Sequence, residues 1–174
     1  GATNLVTGFA TAYRDSFPLV AITGNVSSGL LGLDSFQEVD ITGITMPITK
    51  HNFIVKSVDE LADTIRTAFQ IAMSGRKGPV LVDVPKDITQ AFAEYTKQPA
   101  QKPEESAPLS ADEINRAAEL IASAKKPFIY AGGGVIASEA SAELKKLAEL
   151  TDAPVSCSLM GQGAFDETDR RYIG

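Results

Sequence analysis

Residues 74–87 decide the fold: Ser-Gly-Arg-Lys-Gly-Pro-Val-Leu-Val-Asp-Val-Pro-Lys-Asp. The run from Val80 to Val84 is short, nearly all β-branched or leucine, and bounded by prolines at both ends. Such a run is typical of a strand that is covered on both faces of a parallel sheet. Gly75 follows a helical pattern and predicts the left-handed residue that ends a helix. The stretch therefore predicts a helix leading into a central strand of an α/β fold.

Two cations frame this strand. Arg76 lies just before it, and Lys86 lies just beyond its carboxyl end. Ligands of open α/β sheets bind at that end of the strands, so both residues are candidates for ligand contact. The alternative is that both are solvated charges on loops, as most surface cations are.

Composition limits the class of protein. With 174 residues, 44% hydrophobic and 22% charged, the chain is globular and long enough for one ordinary core or two small ones. The net charge of −6 and the scattered basic residues argue against a nucleic-acid partner. A single cysteine, Cys157, excludes an intrachain disulfide and a cysteine-rich zinc site. We expect a cytoplasmic protein, because no secretory leader and no membrane-spanning apolar run occurs in the sequence.

The first part of the chain alternates helix and strand. Helical periodicity over residues 3–13 precedes a strand at 18–23, and a polar loop follows that strand. A second helix spans 58–72, with a capping box predicted between Ser57 and Glu60. That helix runs into the central strand.

A second α/β unit begins at Ser110, where Glu113 completes another predicted capping box. A strand at 128–131 runs into Gly132, Gly133 and Gly134, and a further strand spans 154–158. Ser138 is predicted to cap the intervening helix, whose inward residues are Leu144, Leu147 and Leu150. The three glycines either approach a phosphate or sugar closely or simply form a tight turn, and their spacing is not that of the full dinucleotide fingerprint.

Other candidate chemical groups are sparse. Asp34, Glu38 and Asp40 form an acidic cluster that is suited to acid/base work or, alternatively, to helix capping and solvation. The only histidine, His51, has no cysteine or second histidine nearby in sequence, so we interpret it as structural and predict no metal ligands in this chain.

Several motifs occur in an order that resembles a known family. They are Gly1-Ala2-Thr3-Asn4-Leu5-Val6-Thr7-Gly8, Pro18-Leu19-Val20-Ala21-Ile22-Thr23-Gly24, Asp34-Ser35-Phe36-Gln37-Glu38-Val39-Asp40-Ile41, Thr49-Lys50-His51-Asn52 and residues 74–87. Over essentially its whole length the chain resembles the catalytic subunits of acetolactate synthases, which are thiamine diphosphate enzymes of branched-chain amino-acid synthesis.

The resemblance implies a fold made of parts of two doubly wound parallel-sheet domains. Residues 1–90 would be the C-terminal half of the pyrimidine-binding domain, 91–108 a linker, and 109–174 the N-terminal part of the central, FAD-binding domain. We expect the chain to be an internal section of a longer protein, because it opens at Gly1 without methionine.

The resemblance also implies an activity. The family decarboxylates pyruvate and joins the product to a second 2-oxo acid, using thiamine diphosphate, FAD and Mg²⁺. The glutamate that activates the thiamine and the Mg²⁺ ligands would lie outside this chain, so we expect the isolated chain to be inactive. A homodimer or homotetramer and a regulatory subunit are the implied partners.

Roles for individual residues follow from matching positions. Asn4 and Gln37 match residues near the thiamine diphosphate, Phe36 lines the approach to the substrate, and Lys86 matches a lysine at the mouth of the access channel. Arg76 matches an arginine that meets FAD.

The flavin side of the resemblance continues in the second unit. Gly132, Gly133 and Gly134 match the Gly-rich turn at the flavin, and Gly161 lies in another segment close to it. Ser27 departs from the proline common at this position in the family, which puts fine substrate preference in doubt. The alternatives are glyoxylate carboligase, pyruvate oxidase, the FAD-free catabolic synthase, or a module that binds nucleotides or assembles without catalysis.

Overall fold

The computed structural model describes residues 1–99 and 108–174 of the chain. The chain is α/β with parallel sheets, and it divides into two compact units, Gly1–Ser106 and Ala107–Gly174. The described strands are β1 Leu19–Asn25, β2 His51–Ile54, β3 Pro79–Pro85, β4 Ile129–Ala131 and β5 Val155–Cys157. The described α-helices are α1 Val6–Asp15, α2 Ile41–Thr45, α3 Val58–Met73, α4 Lys86–Gln90, α5 Ala111–Ser123, α6 Gly133–Ala137 and α7 Ser141–Thr151.

The sheet of the first unit has the order β1-β3-β2, with both pairings parallel. Every residue of β3 is buried, so the strand predicted from residues 80–84 is confirmed as the central one. In the register, Ala21 lies opposite Leu81 and Asn25 opposite Pro85, which brings the carboxyl ends of β1 and β3 to the same edge.

Helices cover both faces of this sheet. The valines of β3 pack in one cluster with α3, whereas Leu81 packs in another with Phe9 of α1 and Ile41 of α2. The alternation along β3 is the side-chain period of a strand, and each face buries one set. The buried members on the α3 side are Val55, Ala68, Ala72, Val80, Val82, Val84 and Ile88.

The two ends of α3 are fixed by different side chains. At its start, the capping box predicted between Ser57 and Glu60 does not form, because the Ser57 hydroxyl accepts from the backbone of Asp59 instead, at 3.3 Å. At its end, the Lys50 ammonium donates to the carbonyl oxygens of Ile71 at 2.5 Å and Ser74 at 2.6 Å. A cation thus donates hydrogen bonds to carbonyl groups at the carboxyl end of the helix, where helical partners run out.

The second unit contains a parallel pair, β4 and β5, with Ile129 opposite Val155. Its buried core consists of Ala131, Leu144, Ala148, Val155, Ala164 and Phe165. The capping box at the start of α5 is confirmed, since the Ser110 hydroxyl accepts from the Glu113 backbone and the Glu113 carboxylate accepts from the Ser110 backbone, each at 3.2 Å. All residues of α5 are exposed.

Two expectations for the helix after β4 were wrong. Ser138 does not cap a following helix; it ends the short helix α6, and its hydroxyl donates to the Gly134 carbonyl at 2.7 Å. α7 begins three residues later without a side-chain cap. Leu144 is buried as predicted, but Leu147 is 37% exposed and Leu150 is 77% exposed, because both line an open groove shared with α5 and are not part of the buried core of this unit.

Residues 91–99 of the predicted linker are exposed and form no helix or strand. Residues 100–107 lie outside the described residues, so the linker and the domain limits stay predictions.

Candidate functional site

The carboxyl edge of the first sheet carries a buried carboxylate. Asp83 is fully buried near the end of β3, and the neighbouring strand β1 presents Thr23, which lies opposite Asp83 in the register, and Asn25, two residues further on. The Thr23 hydroxyl donates to one Asp83 oxygen at 2.6 Å, and the Asn25 amide donates to the other at 2.5 Å. Both oxygens are therefore hydrogen-bonded, as a buried charge requires.

Sequence reasoning missed Asp83, because the run around it was interpreted as a nearly unbroken β-branched strand and no role was assigned to its one carboxylate. The available signal was one carboxylate inside a five-residue strand core, a position where aspartate is unfavourable unless something pairs with it. Asn25 carries the network outward, since its side-chain oxygen accepts from the backbone of Val26 at 2.8 Å. The first residue of the loop after β1 is thus tied to the core of the sheet.

Asp87, four residues after Asp83, is a second carboxylate that holds the same loop. Ser28 donates to Asp87 twice, from its backbone N–H and from its hydroxyl, each at 2.8 Å. These backbone and side-chain hydrogen bonds lower the pKa of Asp87 below its usual value, because they stabilise the charged form. Asp87 belongs to the first turn of α4, so the loop is joined to that helix.

The acidic cluster of residues 34–40 has a structural explanation. Glu38 accepts from the backbone N–H of Gly32 and, at 3.0 Å, from that of Ser35, and these bonds lower its pKa. Asp40 is the N-cap of α2, where it accepts from the Gly43 backbone at 2.9 Å, which lowers the pKa of Asp40 as well. The capping interpretation is confirmed for Asp40, and Glu38 closes the loop on itself.

Phe36 and Gln37 lie at the tip of the loop between β1 and α2. Phe36 is 89% exposed, so its ring is free to meet a ligand or another surface. Gln37 is exposed and adopts a positive φ of 62°, and Asp34 nearby has a φ of 53°. Non-glycine residues in this region are uncommon and require support from their surroundings.

Asn4 and Lys86 are both exposed and each begins or precedes a helix. Asn4 lies in a 3-10 turn, Ala2–Leu5, that leads directly into α1. Lys86 is the first residue of α4, whose neighbour in space is the 3-10 turn Ser28–Leu30. Within the described ranges, no hydrogen bond joins any two of the predicted site residues.

Arg76 is bound to the end of α1. Its Nε donates to the Ser16 hydroxyl at 2.8 Å, and a terminal nitrogen donates to the Arg14 carbonyl at 3.0 Å. The guanidinium thereby satisfies the carboxyl end of α1, where Ser16 adopts a left-handed conformation. The FAD contact predicted for Arg76 stays a prediction.

The three glycines after β4 differ in their surroundings. A Cβ on Gly133 would lie 2.9 Å from the Met160 carbonyl oxygen, and one on Gly161 would overlap the Ala131 carbonyl. These two glycines are thus required by the packing of the Gly-rich turn on the 3-10 turn Leu159–Gly161. Gly134, by contrast, has open space where a Cβ would point, so a ligand could approach the backbone there.

The other features noted in the sequence provide no further candidate site within residues 1–99 and 108–174. His51 packs its ring edge-to-face on Phe53, with centroids 4.4 Å apart. In the described ranges, no cluster of three or more histidine, cysteine, aspartate or glutamate side chains could hold a metal ion. Neither do those ranges contain a helix with the length and apolar character needed to cross a membrane.

Two family profiles match the chain. The profile described as "Thiamine pyrophosphate enzyme, N-terminal TPP binding domain" matches residues 1–44, and "Thiamine pyrophosphate enzyme, central domain" matches residues 114–174. The chain belongs to the thiamine pyrophosphate enzyme family. Within that family, its curated relatives carry acetolactate synthase names.

The similarity to these thiamine pyrophosphate enzymes extends over the whole chain. The chain is 52% identical to the acetolactate synthase of Mycobacterium bovis, and the alignment covers 100% of this chain and 29% of the relative. It is 49% identical to the acetolactate synthase large subunit of Corynebacterium glutamicum, with 100% of this chain and 28% of the relative covered. Identity to the acetolactate synthase isozyme 3 large subunit of Escherichia coli is 44%, again over 100% of this chain and 31% of the relative. The chain thus spans less than a third of the length of these relatives.

Proposed function

We propose that this chain is part of the catalytic subunit of an acetolactate synthase. The parent enzyme would decarboxylate pyruvate and join the remaining two-carbon unit to a second 2-oxo acid, in branched-chain amino-acid synthesis. The observation that carries the proposal is 52% identity to an acetolactate synthase over 100% of this chain. Two profiles of the same enzyme family, matched in order along the chain, support it.

We propose that residues 1–90 belong to the pyrimidine-binding domain, 91–108 to a linker and 109–174 to the central domain. The profile matches at 1–44 and 114–174 support this assignment, because each falls inside one of the two proposed domains. The parallel sheet in each described unit is compatible with it as well.

The proposed thiamine diphosphate contacts are Asn4 and Gln37, with Phe36 at the approach of the substrate and Lys86 at the mouth of the access channel. When bound, the cofactor would supply an electron sink for the decarboxylation. The exposed ring of Phe36 suits a role in shaping an apolar wall beside a small 2-oxo acid and excluding water there. The exposed ammonium of Lys86 suits attraction of an anionic substrate. The activating glutamate and the Mg²⁺ ligands would come from outside this chain.

The proposed FAD contacts are Arg76, Gly132, Gly133, Gly134 and Gly161. The turn fits a ligand in part, because the backbone at Gly134 faces open space beyond the carboxyl end of β4. Gly133 and Gly161 would act indirectly, by allowing the turn and the adjacent 3-10 turn to pack closely. Arg76 would meet the flavin while still holding the end of α1.

The proposed setting is the cytoplasm, in a homodimer or homotetramer that a regulatory subunit accompanies. The names of two relatives contain the words "large subunit", which supports a second, smaller chain.

Assay of the full-length parent protein tests the proposal. We expect acetolactate from pyruvate when thiamine diphosphate and Mg²⁺ are added, and a loss of product when thiamine diphosphate is withheld. Withholding FAD distinguishes an FAD-dependent synthase from the FAD-free catabolic type. Tartronate semialdehyde from glyoxylate, acetyl phosphate from pyruvate, or no turnover at all would contradict the proposal in favour of a carboligase for glyoxylate, an oxidase or a non-catalytic module.

A further inference from the structure

We infer that Asp83 and Asp87 are positioning residues, which hold the loop between β1 and α2 so that Phe36 meets the substrate. This inference rests on the proposed function, because it takes Phe36 to line the approach of a 2-oxo acid. The loop comprises residues 26–40, and the two aspartates belong to β3 and to α4. Neither aspartate would itself touch the substrate.

The first anchor lies inside the sheet. Asp83 accepts from Thr23 and Asn25, and these residues are the last two on β1 that point towards it. Asn25 in turn accepts from the backbone of Val26, so the direction in which the chain leaves the strand is fixed by a fully buried group. Hydrogen bonds to a charged acceptor in a buried site are among the strongest that a protein makes.

The second anchor lies at the surface. Asp87 receives two hydrogen bonds from Ser28, which stands 59 residues earlier in the chain. This pair joins the loop to the helix that follows the central strand. Because Lys86 is the neighbour of Asp87 in the same helical turn, the same contact fixes the distance between the loop and the proposed channel lysine.

The far side of the loop is closed by its own residues. Glu38 accepts from Gly32 and Ser35, and the Ser35 hydroxyl donates to the Leu30 carbonyl at 3.0 Å. The loop therefore behaves as a preformed unit between Leu30 and Glu38, and its orientation depends on the anchors at Asn25 and Ser28. Loss of an anchor would move the exposed ring of Phe36 without unfolding the sheet.

Two variants of the full-length enzyme test this inference, one at half-buried Ser28 and one at exposed Asp87. Ser28→Ala removes one of the two bonds to Asp87, and Asp87→Asn replaces one of the accepting oxygens by an amide nitrogen. Ser28→Thr keeps the hydroxyl and serves as the conservative rescue. Asp63→Asn is the matched control, because Asp63 is 82% exposed on α3, in the same unit, and takes no part in the loop.

The first measurement is hydrogen exchange of the backbone amides of residues 27–37, which does not depend on turnover. We expect exchange to rise by about threefold to tenfold in S28A and D87N, the range that corresponds to the net loss of one ordinary hydrogen bond at a site that solvent can reach. Exchange should stay near wild type in S28T and D63N.

The second measurement is steady-state kinetics with pyruvate. We expect KM to rise by about threefold to tenfold in S28A and D87N while kcat changes by less than about twofold, since the binding of substrate and not the cofactor chemistry is disturbed. Asp83→Asn, which weakens the buried anchor, should show the same pattern if it folds. S28T and D63N should retain the wild-type KM.

The outcomes separate the inference from the proposed function. Unchanged exchange in S28A and D87N, or faster exchange with an unchanged KM, overturns the inference while acetolactate formation persists. A fall in kcat with KM constant also overturns it. A wild-type enzyme that forms no acetolactate overturns the proposed function, and the inference fails with it.

Discussion

Only glycine fits at position 161, because the surrounding atoms leave no room for a Cβ. A methyl group there would overlap the backbone carbonyl of Ala131, and a backbone group cannot rotate away as a side chain does. Gly134, in the Gly-rich turn, has open space where its own Cβ would point and therefore provides the comparison.

We therefore expect Gly161→Ala to destabilise the second unit by about 1–3 kcal/mol, through overpacking at the Gly-rich turn. Gly134→Ala should change its stability by less than about 0.5 kcal/mol, as exposed substitutions usually do. Urea unfolding followed by circular dichroism measures both. Equal effects of the two substitutions would contradict this account of the turn.

Glu38 provides a prediction about pH. Its pKa is lowered because the backbone N–H groups of Gly32 and Ser35 donate to the carboxylate. A carboxyl group whose pKa is lower in the folded than in the unfolded state stabilises the fold at pH values above its unfolded-state pKa. The stabilisation by Glu38 is thus complete above its usual pKa of 4.5 and is lost as the pH falls through the lowered value.

We expect the carboxyl carbon signal of Glu38 in an NMR titration to have its midpoint below 4.5, and the loop amides to lose protection only in acid. A midpoint for Glu38 at or above 4.5 would refute the hydrogen bonds to Gly32 and Ser35.

At the scale of elements, α3 depends on a lysine from another part of the chain. Lys50 reaches the carboxyl end of α3, where its ammonium is partly buried, and burial lowers its pKa. Lys50→Met keeps the length of the side chain but removes the donors. We expect it to destabilise the first unit by about 1 kcal/mol, because the site is still partly screened by solvent.

Thermal unfolding tests this, with Lys56→Met as the control, since Lys56 is exposed between β2 and α3. A loss of stability in K56M as large as that in K50M would show that charge alone, not capping of α3, is responsible.

The elements also show how far the sequence leads. β3 was predictable because a short β-branched run bounded by two prolines is typical of a buried strand, and α5 because Ser110 and Glu113 form a local, reciprocal cap. Ser138 was not predictable in the same way, since serine both begins and ends helices and the outcome depends on where the chain turns after Gly134. The role of Asp83 was missed because its partners are 58 and 60 residues away in sequence.

The tip of the loop shows a similar limit. The resemblance pointed to Phe36 and Gln37, but the positive φ of Gln37 and the closure of the loop by Glu38 depend on contacts that no periodicity encodes. Residue patterns predicted the sheet edge where candidate ligands would lie, and the three-dimensional contacts supplied the anchors that set its shape.

At the scale of the whole molecule, both units expose large apolar side chains. The second unit has a wide apolar groove between α5 and α7, lined by residues that include Ile114, Ile121, Leu147 and Leu150. In the first unit, Ile22 on the edge strand β1 is 57% exposed and Phe69 on α3 is also 57% exposed. Surfaces of this kind favour association, and an edge strand offers unpaired backbone groups as well.

We therefore expect the 174-residue chain, expressed alone, to self-associate. Size-exclusion chromatography with light scattering should give a mass above that of the 18.4 kDa monomer. The double substitution Ile121→Lys and Leu150→Lys in the groove should reduce the association, whereas Lys125→Glu, an exposed change in the same unit, should not. A single monomeric species for the unsubstituted chain would refute the prediction.

The position of Asp83 in the central strand has a consequence for how the sheet assembles. Val82 and Val84 point into the cluster with α3, while Asp83 points to the other face, towards Thr23 and Asn25. Sliding β3 by a single residue against its neighbours would drive the carboxylate into an aliphatic environment that offers it no donor. One acidic side chain thus penalises every pairing of the strand that is shifted by an odd number of residues, and the correct alignment is favoured by exclusion of these pairings as well as by its own contacts.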